Sequence, residues 1–154
     1  MKMAGSIEID RPVQEVFDYT VNNVAEWSLV VVEDEPLDDK PLGAGSTFRF
    51  ATEERGHRME FTGEVVRHDP PTAHAAEMKS KLFDITGDYS FESLGPDLTR
   101  VTLRSTLQPK TFLIKLLFFV TSFFVKRANC KATAKELQNL KKLLEEGAAD
   151  QTES

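Results

Sequence analysis

The sequence predicts an α+β fold in which a curved antiparallel sheet grips one long C-terminal helix. Three observations point to it. Residues 110–146 contain no proline or glycine, enough for a helix of about ten turns. Between Leu29 and Leu107, segments of alternating apolar and polar residues are separated by turn-forming clusters. Each such strand has a single apolar face, so cover is needed on that side alone, and the terminal helix is the natural cover.

The elements follow in order. Ser6-Ile7-Glu8-Ile9-Asp10 alternates as a short strand. Arg11-Pro12 then starts a helix, because proline suits a first helical position whose N–H would be unpaired anyway. Val13, Val16, Phe17 and Val21 form its apolar face, Asn22-Asn23 ends it, and Val24 to Trp27 forms a further short helix. Leu29 to Glu35 reads as a strand, followed by the turn-rich loop Asp38 to Gly45. Thr47–Glu53 and Arg58–His68 make a hairpin through Gly56, with Phe48 and Phe50 on one side and Met59, Phe61, Gly63 and Val65 on the other strand's matching side. Asp69-Pro70-Pro71 is a stop. Thr72–Ser80, Leu82–Leu94 and Leu98–Leu107 are the remaining strands, the last two joined at Gly95-Pro96-Asp97. Pro109 is expected to open the long helix and Gly147 to end it, since glycine commonly lies just past a helix C-terminus.

At 154 residues the chain is expected to be one domain over 1–146, with 147–154 as a disordered tail. A chain of this size buries roughly 68–70% of its unfolded surface, so it needs no disulfide or metal staple. Cys130 is the only cysteine, which excludes an intrachain disulfide and fits a reducing, cytoplasmic setting. The N-terminus leads straight into a strand pattern without the apolar core of a secretory signal.

The net charge of −6 conceals an asymmetry. Residues 1–109 hold 11 basic and 20 acidic residues, a balance of −9. Residues 110–142 hold eight basic residues against Glu136 alone, a balance of +7, and residues 143–154 return −4. An acidic body with one basic helix argues against nucleic-acid binding. Residues 112–125, FLIKLLFFVTSFFV, are apolar almost all round, but they span only about 21 Å against a hydrocarbon core of about 30 Å and contain Lys115. They are too short to cross a bilayer. The run has more apolar surface than a single sheet face can take, so its side around Leu116, Phe119 and Phe123 is expected to meet the short helices and loops of its own domain, or to make a peripheral membrane contact or a homodimer contact.

With these segments in place the chain resembles the SRPBCC superfamily, the START-like, polyketide cyclase/dehydrase and lipid-transport group. The matching pieces are Ile7-Glu8-Ile9-Asp10-Arg11-Pro12 followed by Val16-Phe17-Asp18, then Val24-Ala25-Glu26-Trp27, Gly43-Ala44-Gly45-Ser46-Thr47-Phe48 and His68-Asp69-Pro70-Pro71. Tyr89-Ser90-Phe91-Glu92, Thr99-Arg100-Val101-Thr102 and the closing Leu137 to Glu145 complete the set. The resemblance implies a helix-grip fold: a seven-stranded antiparallel sheet around the C-terminal helix, enclosing a cavity for apolar ligands. It implies binding or transport of a lipid, quinone or polyketide-like molecule without catalysis, or else a cyclase/dehydrase-type enzyme. The metal-cluster ligands of the group's oxygenase branch are absent.

By strand alternation the cavity lining is expected to come from Phe48, Phe50, Met59, Phe61, His74, Met78, Phe83, Ile85, Tyr89, Val101 and Leu103. The helix is expected to add Leu117, Phe118, Thr121 and Val125, with Trp27 capping the entrance. His57, His68 and His74 lack metal-ligand spacing, so neither a metal nor a cofactor is expected. His57 and His68 are expected to be exposed. His74 and Tyr89 are the candidates for proton transfer or for orienting a ligand. Asp84 and Arg104 are expected to be outward-facing members of ion pairs between strands. No Ser-His-Asp or Cys-His set and no phosphate loop is present.

Overall fold

The computed structural model describes residues 2–152, apart from the side chains at 118, 122–129 and 148–152. Seven strands and three helices follow in the order β1 (Lys2–Ile9), α1 (Val13–Asn22), α2 (Val24–Trp27), β2 (Val31–Pro36), β3 (Thr47–Glu54), β4 (His57–Asp69), β5 (Ala73–Lys79), β6 (Phe83–Gly95), β7 (Leu98–Pro109) and α3 (Phe112–Thr152). All seven strands form one antiparallel sheet in the order β1-β7-β6-β5-β4-β3-β2. Strands β2 to β7 are a simple meander. β1 pairs back onto β7, so α1 and α2 carry the chain from one sheet edge to the other. This is the curved sheet and long helix that the sequence predicts. Register shifts at Val31/Glu33, Val65/Arg67 and Ser93/Gly95 interrupt the ladder and add local twist.

The core lies where α1, α2 and the later part of α3 meet β1, β6 and β7. Leu137, Leu140 and Leu144, spaced three and four apart, put one stripe of α3 against Ile9, Val16, Phe17, Trp27, Phe91 and Val101. The helix comes close to β1 because Gly5 has no side chain. A Cβ there would lie 3.0 Å from Thr133 Cγ2 and 3.2 Å from Leu137 Cδ1. Asn139 Nδ2 donates to the Trp27 carbonyl at 2.6 Å, and Lys141 Nζ donates to the Glu8 carbonyl at 2.7 Å. The clamp of α3 on the sheet is therefore made by residues 133–144.

Several boundaries differ from the sequence expectations. Pro109 does not open α3. It pairs with Phe83 at the end of β7, and Lys110 N still donates to the Leu82 carbonyl at 3.0 Å. The helix begins after it, where Thr111 Oγ1 accepts from Ile114 N at 3.3 Å in the manner of an N-cap. Gly147 lies inside α3 rather than beyond it, since an exposed helical glycine costs only about 1 kcal/mol. Residues 153 and 154 of the expected tail lie outside the described residues. Asp84 is not paired with Arg104; its partner is Lys110 at 3.1 Å, and the register sets Asp88 opposite Arg104.

The two halves of α3 should respond differently to truncation. Leu140 is fully buried in the clamp, so Leu140→Ala should cost about 2–5 kcal/mol in chemical denaturation. Leu113 is exposed, so Leu113→Ala should stay within about 0.5 kcal/mol of the parent. Equal losses at the two positions would contradict this division of the helix.

Candidate functional site

The ladder decides which side chains share the concave face, because residues directly opposite each other point the same way. Phe48 faces Gly63, which faces Met78, which faces Ile85; Phe50 faces Phe61. His74 faces Tyr89, which faces Leu103, and Phe91 faces Val101. All eleven strand positions predicted to point inward therefore share the face toward α3. They divide into two groups.

The first group is an apolar shelf at the β2–β5 end. Phe48, Phe50, Phe61 and Phe83 form a row with ring centroids 6.2, 6.0 and 5.9 Å apart and tilted or edge-on planes. Gly63 makes room for it: a side chain there would overlap the Phe48 ring. Phe61 is buried, but Phe48, Phe50, Met59, Met78, Phe83 and Ile85 stay only half-buried. Among the described residues, α3 makes its near approaches chiefly to β1 rather than to these strands. The shelf is therefore an apolar surface still partly open to solvent.

The second group, His74, Tyr89, Val101 and Leu103, brings two polar side chains to the same face. Tyr89 packs between Trp27, edge-on at 6.4 Å, and Phe91, stacked at 6.2 Å. Burial pushes its phenol well above the usual tyrosine range, and the negative charges of Glu136 and Asp34 push it further. Asp34 sits on β2 opposite Phe50, and burial raises its carboxyl above the ordinary value. Burial likewise raises Glu136, although Ser28 and the backbone N–H groups of Leu29 and Val30 partly offset it by hydrogen bonding to the charged form. The bond from Leu29 N measures 2.9 Å. A phenol and two half-buried carboxyls can together donate and accept hydrogen bonds at one end of an apolar surface.

Near the α1 side, His68 and His74 form a pair with Nδ1–Nδ1 at 3.0 Å and rings edge-on at 5.2 Å. His68 also lies 5.6 Å from the Phe17 ring. Burial, then the charge His68 can carry, lowers His74 to about 4. One Nδ1 donates to the other across this bond, and His74 is suited to accept a further proton only weakly.

Several expectations need correction. Trp27 does not cap an entrance: it is in the core, with Nε1 donating to the Thr20 carbonyl at 3.0 Å. Val101 and Phe61 face inward but are packed solid. Leu117 is 62% exposed, so it does not close a cavity; the close approach of α3 to β1 is seen at Thr133 and Leu137. Thr121 is half-buried, with its hydroxyl spent on the Leu117 carbonyl at 2.7 Å. The side chains of Phe118, Val125 and Phe123 lie outside the described residues. His57 is exposed as expected, but His68 is half-buried. The bulge at Val65/Arg67 reverses the parity of β4 beyond it and turns His68 inward.

Asp34 and Glu136 escape a sequence reading for different reasons. Asp34 is hidden in the acidic run Glu33-Asp34-Glu35, which reads as solvated. Glu136 carried a signal: it is the single acid in the basic stretch 110–142, next to the first leucine of the buried stripe. Among the described residues no group of three or more His, Cys, Asp or Glu side chains could hold a metal ion. A depression of about 590 Å³ lies elsewhere, along α1 at Glu15, Asp18, Tyr19 and Asn22, and it includes none of these groups.

His74 offers a direct check. Its folded-state value near 4 lies below the ordinary 6.5. Between these pH values the unfolded chain binds a proton that the folded chain refuses. His74 therefore costs nothing above pH 6.5, and its contribution destabilises the fold progressively as pH falls towards 4. Titration of the imidazole resonances by NMR should give a His74 midpoint near 4. A midpoint at or above 6.5 would refute the buried, His68-paired environment.

Comparison with known proteins gives the same fold. No curated protein matches the chain significantly. A START superfamily protein from Mycobacterium smegmatis superposes with a TM-score of 0.77 at 15% identity, over 94% of this chain and 97% of that one. A protein of Thermus thermophilus gives 0.76 at 15% identity, over 96% and 99% of the two chains. The Zhui aromatase/cyclase from a Streptomyces species gives 0.73 at 12% identity, over 94% and 93%. At such identities the likeness establishes the fold alone. Residues 1–145 match the family described as polyketide cyclase/dehydrase and lipid transport, and the chain belongs to that family.

Proposed function

We propose that the protein binds a hydrophobic small molecule with one hydrogen-bonding end, and that it does so without transforming it. The observation that carries this reading is the half-open apolar shelf of Phe48, Phe50, Met59, Met78, Phe83 and Ile85 on the same face as Tyr89 and Asp34. An apolar body placed on the shelf would displace water from aromatic surface at roughly 25 cal/mol per Å². Its polar end would meet the Tyr89 phenol and the Asp34 and Glu136 carboxyls, whose proton affinities burial raises. Lipids, quinones and polyketide-like aromatics share this division into an apolar body and an oxygen-bearing end. The family membership supports the same ligand classes. A reducing, cytoplasmic setting fits the free, exposed Cys130.

A second reading is a cyclase/dehydrase-type reaction on the same face. What favours it is the cluster of groups with displaced proton affinities: Tyr89, Asp34 and Glu136 held high, His74 held low. Such a site would orient a reactive chain and move protons between fixed groups.

Mass spectrometry of small molecules extracted from natively purified protein should find a bound amphiphile. Thermal-shift titration with that compound should raise the midpoint. Tyr89→Phe should weaken its binding roughly three- to tenfold, the worth of one hydrogen bond. An empty extract together with no shift from lipids, quinones or polyphenols would overturn the binding reading. Conversion of the bound compound, with Tyr89→Phe lowering kcat while KM holds, would establish the enzymatic one instead.

A further inference from the structure

The first half of α3 carries a surface that the concave face does not use. Phe112, Leu113, Leu116, Leu117, Phe119 and Val120 are each between 49% and 79% exposed. At 100° per residue these six fall within an arc of roughly 160°, with half-buried Ile114 and Thr121 on the opposite side. They therefore form one continuous apolar face rather than scattered exposed side chains. Further along the helix the same sector presents Lys131 and Lys135, both exposed, while exposed Lys115 borders the apolar arc. Residues 110–142 carry +7 in all, against −9 for residues 1–109.

We infer that this face of α3 docks in the plane of an anionic lipid bilayer. An apolar stripe with lysines beside it and beyond it buries the aromatic rings among acyl chains while the ammonium groups meet lipid phosphates. The helix lies on the surface rather than crossing it, since among the described residues no helix is long and apolar enough to span a membrane. Charge decides between a bilayer and a second copy of the chain. Two such helices face to face would bring the exposed Lys115, Lys131 and Lys135 of each copy onto one seam. An anionic bilayer supplies both the apolar interior and the compensating charge. The acidic sheet would be repelled from the same surface, which orients the protein with α3 downward. This inference is independent of the ligand proposed above.

Co-sedimentation of the purified protein with vesicles tests it. Binding is expected to phosphatidylcholine vesicles containing phosphatidylglycerol, and to be lost with pure phosphatidylcholine or at about 0.5 M salt, where charges are screened within a few Å. Phe119→Asp should lower the partition coefficient about tenfold or more. Phe119 is 79% exposed, so the fold should persist, as circular dichroism can verify. Lys131→Gln and Lys135→Gln should each lower it about fivefold while leaving the apolar face intact. Absence of binding to the anionic vesicles would overturn the inference, as would equal binding to neutral ones. A stable dimer that Phe119→Asp dissociates, without vesicle binding, would assign the face to a second copy.

Discussion

Everything in this molecule depends on how closely α3 approaches β1. Gly5 allows Thr133 and Leu137 to lie almost on the backbone of the edge strand, and Leu140 and Leu144 then fill the space above α1 and β7. Because the approach is made at residues 133–144, the core forms at the α1–α2 end of the sheet. The β2–β5 end is left with its aromatic face only half covered. One point of contact thus separates a packed half from an open half, and the proposed ligand face is what the clamp leaves uncovered.

The same clamp sets the electrostatics. Glu136 stands next to Leu137, so burying the leucine carries the carboxyl inward, where the N–H groups after α2 meet it. Asp34 arrives from the far edge of the sheet, opposite Phe50. Both charges act on Tyr89, although the three residues come from α3, β2 and β6. Half-buried carboxyls that form no ion pair among the described residues carry a desolvation cost, and structures keep them chiefly where they have work to do. That cost supports a role in holding a polar end group more than a role in folding.

The apolar start of α3 and its polar continuation have opposite fates in one uninterrupted helix. Leu137, Leu140 and Leu144 are held by packing, whereas Phe112, Leu113, Leu116, Leu117, Phe119 and Val120 are exposed. A helix this long is held largely by its own backbone bonds, so its apolar first half can keep its shape with one side exposed. It does need something to cover its aromatic rings.

The sequence by itself determined the architecture. Alternating strands, hard turns and one unbroken terminal helix allow few arrangements, and the period-2 pattern alone assigned all eleven inward strand positions to the face they occupy. It also located the buried stripe of Leu137, Leu140 and Leu144. Only the tertiary structure decided what lies near what. A single bulge in β4 turned His68 toward His74, and no local pattern signals such a reversal. Trp27 went into the core, where its indole N–H donates to the Thr20 carbonyl, and Leu117 stayed in solvent while Thr133 and Leu137 closed on Gly5. Asp34 and Glu136, more than a hundred residues apart in the chain, both act electrostatically on Tyr89. Periodicity reads which way a side chain points from its own element; which other elements stand opposite is set by sheet curvature and helix approach, and these are sums over the whole fold.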